Sequence, residues 1–249
     1  NIKRSKKVAD IHYNLDNDLY GKMLGPSMAY TCAYYKDTDD LDTAQTAKYD
    51  LVCRKLQLKP GEKVLELGCG WGGLAKHATT HYGVEVTSVN IAEEQINFAK
   101  TLCKNLPVSL HLTDYRNDKD YNPQGILFDK VVSVGLCEHI GYKNYRSFMA
   151  VAYRNLKPEG LFLLHTIGKN RSVTAADPWI SKYIFPGGLL PSAKQLSSAY
   201  EPYFIMEDWH NLGADYDKTL MAWYKNFVRY WDTLKNRYDE RFFRMWSYY

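Results

Sequence analysis

No C-x-x-C pair occurs in this 249-residue chain, and its five cysteines (Cys32, Cys53, Cys69, Cys103 and Cys137) are odd in number. That usage argues against a disulfide framework or a zinc site and fits a reducing cytosol. No apolar run reaches the roughly 18 residues that a spanning helix needs, and no signal peptide opens the chain. A soluble protein is therefore expected, at most bound to a membrane surface. Linkers and internal repeats are missing too, which leaves a single domain over 1–249 as the expectation. The first residue is Asn1 rather than Met, which reads as part of a longer polypeptide. The most telling absence is local. The second expected strand, Glu85 to Val89, closes on Asn90, where a dinucleotide site would carry an acid for the ribose 2′-hydroxyl.

What is present is an ordinary globular composition, 45% hydrophobic and 24% charged, enough to bury a large core. The aromatic share is less ordinary: 21 Tyr and 6 Trp cluster near the two ends of the chain. Packing accounts for the larger part of them and an apolar or interfacial partner for the rest. Net charge is +4, with Lys3, Arg4, Lys6 and Lys7 crowded at the start, either a solvated face or a point of attraction for anionic phosphates.

The stretch V-L-E-L-G-C-G-W-G-G, Val64 to Gly73, is an apolar run holding one acid, Glu66, that opens into a glycine-rich turn. Gly68, Gly70 and Gly73 keep the GxGxxG spacing, and a helix starting near Trp71 would point its amide dipoles at a ligand in the turn. Beyond it the pattern alternates. Trp71 to Tyr82 reads as helix, Glu85 to Val89 as strand, Ala92 to Cys103 as helix, Val108 to Leu112 and Phe128 to Val134 as strands, Tyr145 to Leu156 as helix and Gly160 to Thr166 as strand. This predicts an α/β, Rossmann-like fold: a mostly parallel sheet with helices on both faces and ligands beyond the carboxyl ends of its strands. Leu41 to Leu56 reads as an amphipathic helix, Tyr13 to Tyr35 as an irregular aromatic cover, and 177–202 as an α-helical lid insertion. Phe204 to His210 reads as a further strand and Tyr216 to Tyr249 as a helix pair. The expected divisions are 1–57 for the cover, 58–176 for the core, 177–202 for the lid and 203–249 for the C-terminal strand and helices.

An acid two residues before the first glycine, with none closing the second strand, resembles motif I of class I S-adenosylmethionine (AdoMet) methyltransferases. Six segments in order sharpen the resemblance: H-Y-N-L-D-N-D-L-Y (12–20), Y-T-C-A-Y-Y (30–35), the glycine turn, G-L-C-E-H-I-G (135–141), L-H-T-I-G (164–168) and A-D-Y-D-K-T-L-M-A-W (214–223). Together they are similar to the cyclopropane and mycolic acid synthase family of those methyltransferases. The resemblance implies methylene transfer from AdoMet to the cis double bond of an acyl chain in a membrane phospholipid, with bound bicarbonate as the base. It further implies a phospholipid surface and no nucleic acid as partner, a homodimer, and a cytoplasmic protein peripheral to the inner membrane. Relatives continue past the last helix with another strand, and many carry an additional N-terminal domain.

Carried onto this chain, the family's anion site implies the backbone N–H groups of Cys32 and Ile167, with the side chains of Glu138, His165 and Tyr216. The cofactor would meet Tyr30 and Thr31 at its methionine end and Glu66, Gly68, Gly70, Trp71 and Gly72 along the methionine and ribose. Asn90, Ile91 and Gln95 fall at the ribose edge, and Asp114 with Tyr115 at the adenine. Asn90 stands where relatives often have Thr, and Thr31 where they have Ser. Tyr34, Tyr35, Trp179 and Phe185 are candidates to stabilise a cation through their π faces. Plainer readings stand beside these: Cys69 and Cys137 as buried small apolar residues, His165 as a satisfied core histidine, Tyr216 as a packed helix residue. His139 beside Glu138 lacks a second ligand at helical spacing, so no metal is expected. Competing functions are methyl transfer to a soluble acceptor and a non-catalytic lipid-surface domain that has kept the fold.

Overall fold

The computed structural model describes residues 17–249. Lys3, Arg4, Lys6, Lys7 and the first part of the 12–20 motif therefore lie outside the described residues. Five strands, β1 (Lys63–Leu67), β2 (Glu85–Asn90), β3 (Val108–Leu112), β4 (Phe128–Val134) and β5 (Leu156–His165), form one parallel sheet in the order β3-β2-β1-β4-β5. The direction of winding reverses between β1 and β4, so the crevice beyond their carboxyl ends is where such a sheet receives a ligand. β5 starts earlier than the Gly160 expected, because Leu156 pairs with Phe128 before an irregularity near Lys130 restores the register.

Alternation along the strands sends side chains to two cores. Leu65, Leu67 and Val131 face a cluster with Phe148 and Val151 of α7 (Tyr145–Asn155) and Leu196 of α9 (Ala193–Tyr200). Val64, Val86 and Val132 face Val52 and Leu56 around α2 (Leu41–Lys55), and Leu74, Ala75 and Ala78 of α3 (Gly73–Tyr82). At roughly 25 cal/mol per Å² of apolar surface, such two-sided burial is the main stabilising contribution to the sheet. α4 (Glu93–Leu102), the short α5 (Asp118–Tyr121) and α6 (Cys137–Ile140) complete this part.

A third cluster caps the strand ends. α1 (Asn17–Leu24) contributes Leu19, Tyr20, Met23 and Leu24, which pack on Trp223 and Phe227 of α10 (Gly213–Leu234) and Trp246 of α11 (Glu240–Tyr248), beside α8 (Pro178–Tyr183). The 17–24 helix corrects the irregular cover expected up to Tyr35; its buried residues at i, i+1, i+4 and i+5 make one helical face. The strand expected over 204–210 is also corrected. These residues are irregular, and Ile205 is 86% exposed, because no neighbouring backbone offers them a ladder. Among the described residues the far edge of β5 has no partner strand. A groove of about 1710 Å³ separates it from the 203–213 segment.

Candidate active site

The glycine turn begins where β1 ends. Gly68, Gly70 and Gly72 all have positive φ, +89°, +51° and +87°. At Gly72 a Cβ would lie 2.9 Å from the Ala99 Cβ, so only glycine lets the turn and α4 approach this closely. At Gly70 a Cβ would meet nothing within 4 Å: the turn faces open space there, as a cradle must. Trp71 packs on Tyr20 (ring centroids 5.0 Å apart) and its Nε1 donates to Asn17 Oδ1 at 2.9 Å, fixing the cap to the turn.

Glu66 is 2% exposed and accepts from Ser88 Oγ at 2.6 Å. Burial raises its carboxyl to about 7, against the pull of the Ser88 hydroxyl and the Lys48 charge. At the end of β2, Asn90 Oδ1 accepts from the N–H groups of Ile91 (2.8 Å) and Ala92 (3.2 Å), while Nδ2 donates to Gln95 Oε1 (2.8 Å) and Gly70 O (3.4 Å). The residues expected at the ribose edge thus bind one another and the glycine turn. Beyond β3, Asp114 is gripped by Arg116 through Nε and Nη2 at 2.7 and 2.6 Å, which holds its carboxyl below the ordinary range despite burial. Tyr115 stands edge-on to Phe148.

The residues expected to surround a small anion come together, with one difference. Glu138, on α6, is buried, and its Oε1 accepts from the Ile167 N–H at 2.8 Å. Two groups both assigned to the anion therefore satisfy each other. Glu138 Oε2 and His165 Nδ1 are buried with no hydrogen-bond partner. Burial raises the Glu138 carboxyl and lowers the His165 imidazole to about 3, so the ring is neutral near pH 7. Tyr216 lies within electrostatic reach of Glu138 and Cys32, and burial keeps its phenol protonated. Cys32 and Ile167 line the same groove as His165 and Tyr216. Burial pushes the Cys32 thiol up to about 11, which leaves it no nucleophilic character.

Aromatic side chains roof the site. Tyr30 packs on Tyr20, Trp223 and Phe185, and its hydroxyl hydrogen-bonds that of Tyr249 at 3.1 Å. Phe185 also meets His139 edge-on. Of the other candidates, Tyr34 turns instead to His210, Tyr35 lies under Lys218, and Trp179 packs on Tyr183 and Tyr248. Among the described residues no group of three His, Cys, Asp or Glu side chains converges to hold a metal ion.

Sequence reasoning missed Gln45 and Lys48, both buried on α2. Gln45 Nε2 donates to Thr31 O at 2.9 Å, and Lys48 Nζ donates to Thr31 Oγ1 at 2.8 Å. The signal was available: both fall in the stripe Leu41, Ala44, Val52 that faces inward, where an unpaired amide or ammonium would be costly. Arg116, Ser88 and Tyr249 were missed as well; their partners lie far away in sequence or, for Arg116, within one tight turn.

Comparison with known proteins sets this geometry in context. The family model for mycolic acid cyclopropane synthetase matches residues 1–249. The cyclopropane-fatty-acyl-phospholipid synthase of Escherichia coli K12 is 54% identical over 99% of the chain, which spans 63% of that protein's length. A sphingolipid C9-methyltransferase of Komagataella phaffii is 32% identical over 96% of the chain and 52% of its own length. Among solved structures, mycolic acid cyclopropane synthase CmaA1 complexed with SAH and CTAB superposes with a TM-score of 0.87 at 28% identity, covering 97% of this chain and 90% of that one.

Proposed function

The chain belongs to the mycolic acid cyclopropane synthetase family, and from that premise we propose that it transfers a methylene group from AdoMet to the cis double bond of an unsaturated acyl chain in a membrane phospholipid, making a cyclopropane. The single observation that carries the reading beyond the family is the pair of orphaned polar atoms, Glu138 Oε2 and His165 Nδ1. Ring closure needs a base held in place after methyl transfer, and a buried carboxylate oxygen and a neutral imidazole nitrogen without partners offer that base an acceptor and a donor.

When bound, AdoMet supplies an electrophilic sulfonium methyl. Glu66, the glycine turn with Trp71, Asn90, Ile91 and Gln95, and Asp114 with Tyr115 would hold it, with Tyr30 and Thr31 at its methionine end. Adding a methyl to one alkene carbon leaves positive charge on its neighbour, and ring closure then needs one proton of the new methyl to leave. The chain's contribution is to exclude water and place a base. Phe185, Tyr30 and Trp223 form an apolar roof whose π faces favour the cation by about 2 kcal/mol per desolvated contact. The Cys32 N–H, His165 and Tyr216 supply donors for a small anion, bicarbonate, and Glu138 Oε2 supplies the acceptor for its O–H. Ile167 acts at one remove, by fixing Glu138 Oε1. The acceptor lies in a bilayer, so the work is done at a membrane surface; no helix among the described residues is long and apolar enough to cross one.

A second reading, methylation of a lipid double bond without ring closure, is favoured by the likeness to the sphingolipid enzyme. Incubation with AdoMet and vesicles of unsaturated phospholipid separates the two. Both products gain one CH₂, but only the first loses its vinyl proton signals and acquires cyclopropyl ones. Glu138→Gln is expected to bind AdoMet as the parent does and to turn over far more slowly. Unchanged turnover would remove the anion site from the mechanism.

A further inference from the structure

Thr31 is held from three sides. Its carbonyl accepts from Gln45, its hydroxyl oxygen accepts from Lys48 Nζ at 2.8 Å, and its methyl packs against Gly135, only 2.6 Å from where a Cβ on that glycine would stand. The rotamer is therefore fixed, and the hydroxyl, having accepted from an ammonium, can only donate its own proton elsewhere. Lys48 is 1% exposed, and its Nζ donates to the Thr31 hydroxyl. The Tyr49 ring lies 4.2 Å from Nζ, and Cys32, Glu66 and His165 are all within electrostatic reach of it. Buried ammonium groups are normally paired, whereas that of Lys48 meets only the Thr31 hydroxyl and the Tyr49 ring among the described residues.

We propose that Lys48 is a positioning residue for the amino-acid end of AdoMet: through Thr31 it directs a hydroxyl proton at the cofactor's carboxylate, and its own charge complements that carboxylate, as Glu66 complements the ammonium. The proposal rests on the AdoMet reading above. Lys48 makes no direct contact with the ligand; it sets the orientation and polarity of the group that does. Burial lowers its ammonium to about 7 in the free protein, and an arriving carboxylate restores the charged form.

Calorimetric titration with two ligands tests it. S-adenosylhomocysteine carries the amino-acid carboxylate; 5′-methylthioadenosine lacks the whole amino-acid end. In Lys48→Met, which keeps the length and packing of the side chain, S-adenosylhomocysteine is expected to bind roughly ten- to a hundredfold more weakly, the worth of one charge-assisted hydrogen bond, while methylthioadenosine binding is unchanged. Thr31→Val should show the same selective loss, and the double variant no more than the larger single one. Equal weakening of both ligands in both variants would overturn the proposal in favour of a purely structural lysine, as would parental affinity for both. If the parent protein bound neither ligand, the AdoMet reading itself would fall instead.

Discussion

Substituting Gly135 by alanine should cost this protein more than any equally small change at an exposed glycine. Gly135 follows β4 with φ +74°, and its N–H donates to His165 O at 3.0 Å, so the backbone cannot swing away freely. A non-glycine residue in that left-handed region costs about 1–2 kcal/mol. The added methyl also lies 2.6 Å from Thr31 Cγ2, well inside contact, and Thr31 cannot yield without breaking its bond from Lys48. Losing that bond to a charged donor adds about 1.5–3 kcal/mol. The total, roughly 3–5 kcal/mol, lowers Tm by about 10 °C in a chain of this size. Gly125 is the control: its φ is +63°, but a Cβ there meets nothing within 4 Å. Gly125→Ala should therefore show the conformational part alone, a fall of roughly 2–8 °C. Thermal melts of both variants, followed by circular dichroism, decide the matter. Equal losses at the two sites would refute the reasoning, since they would show that Thr31 is free to move.

Two more predictions concern buried ionisable groups. Burial raises the Glu66 carboxyl to about 7, above its unfolded range, so its contribution to stability is full below about pH 4.5 and is lost as pH rises through 7. Glu66→Gln, which mimics the protonated acid, should gain on the parent across that window, reaching roughly 3 kcal/mol by urea denaturation at neutral pH; parallel pH curves would contradict this. All five cysteines are free and buried, with thiols pushed up by desolvation. An aromatic disulfide reagent should accordingly label none of them on the timescale of a free thiol at pH 8 and all five once guanidinium is added; rapid native labelling of any one would show that its cover opens.

The parts of the fold that follow from local periodicity were legible. Val108–Leu112 and Phe128–Val134 are strands with the bounds the pattern predicts, and the glycine turn sits between a buried strand and a helix as its spacing requires. Periodicity also predicts a strand over 204–210. It fails there because alternation describes a side-chain pattern, whereas a strand needs a neighbour's backbone. The short 17–24 helix was hidden by Gly21 in its interior, a poor helix former. At the site, the residues Glu138, His165, Ile167, Cys32 and Tyr216 were named through likeness to a family, and the structure gathers them. What no pattern foretold was the bond from Ile167 to Glu138, which depends on how far the β5 end stands from α6. Gln45 and Lys48 were legible as polar residues on the apolar stripe of α2, but their shared partner Thr31 was not.

Three successive residues, Tyr30, Thr31 and Cys32, divide the pocket between them. On the proposed reading, Tyr30 and Thr31 meet the methyl donor's tail, with Tyr30 also part of the aromatic roof, and the Cys32 amide meets the anion. A single short strip of backbone would then serve both reactants, and a motion that lifted it to release the spent donor would also bare the place where the proton is collected. Exchange of donor and renewal of the base would belong to the same opening event.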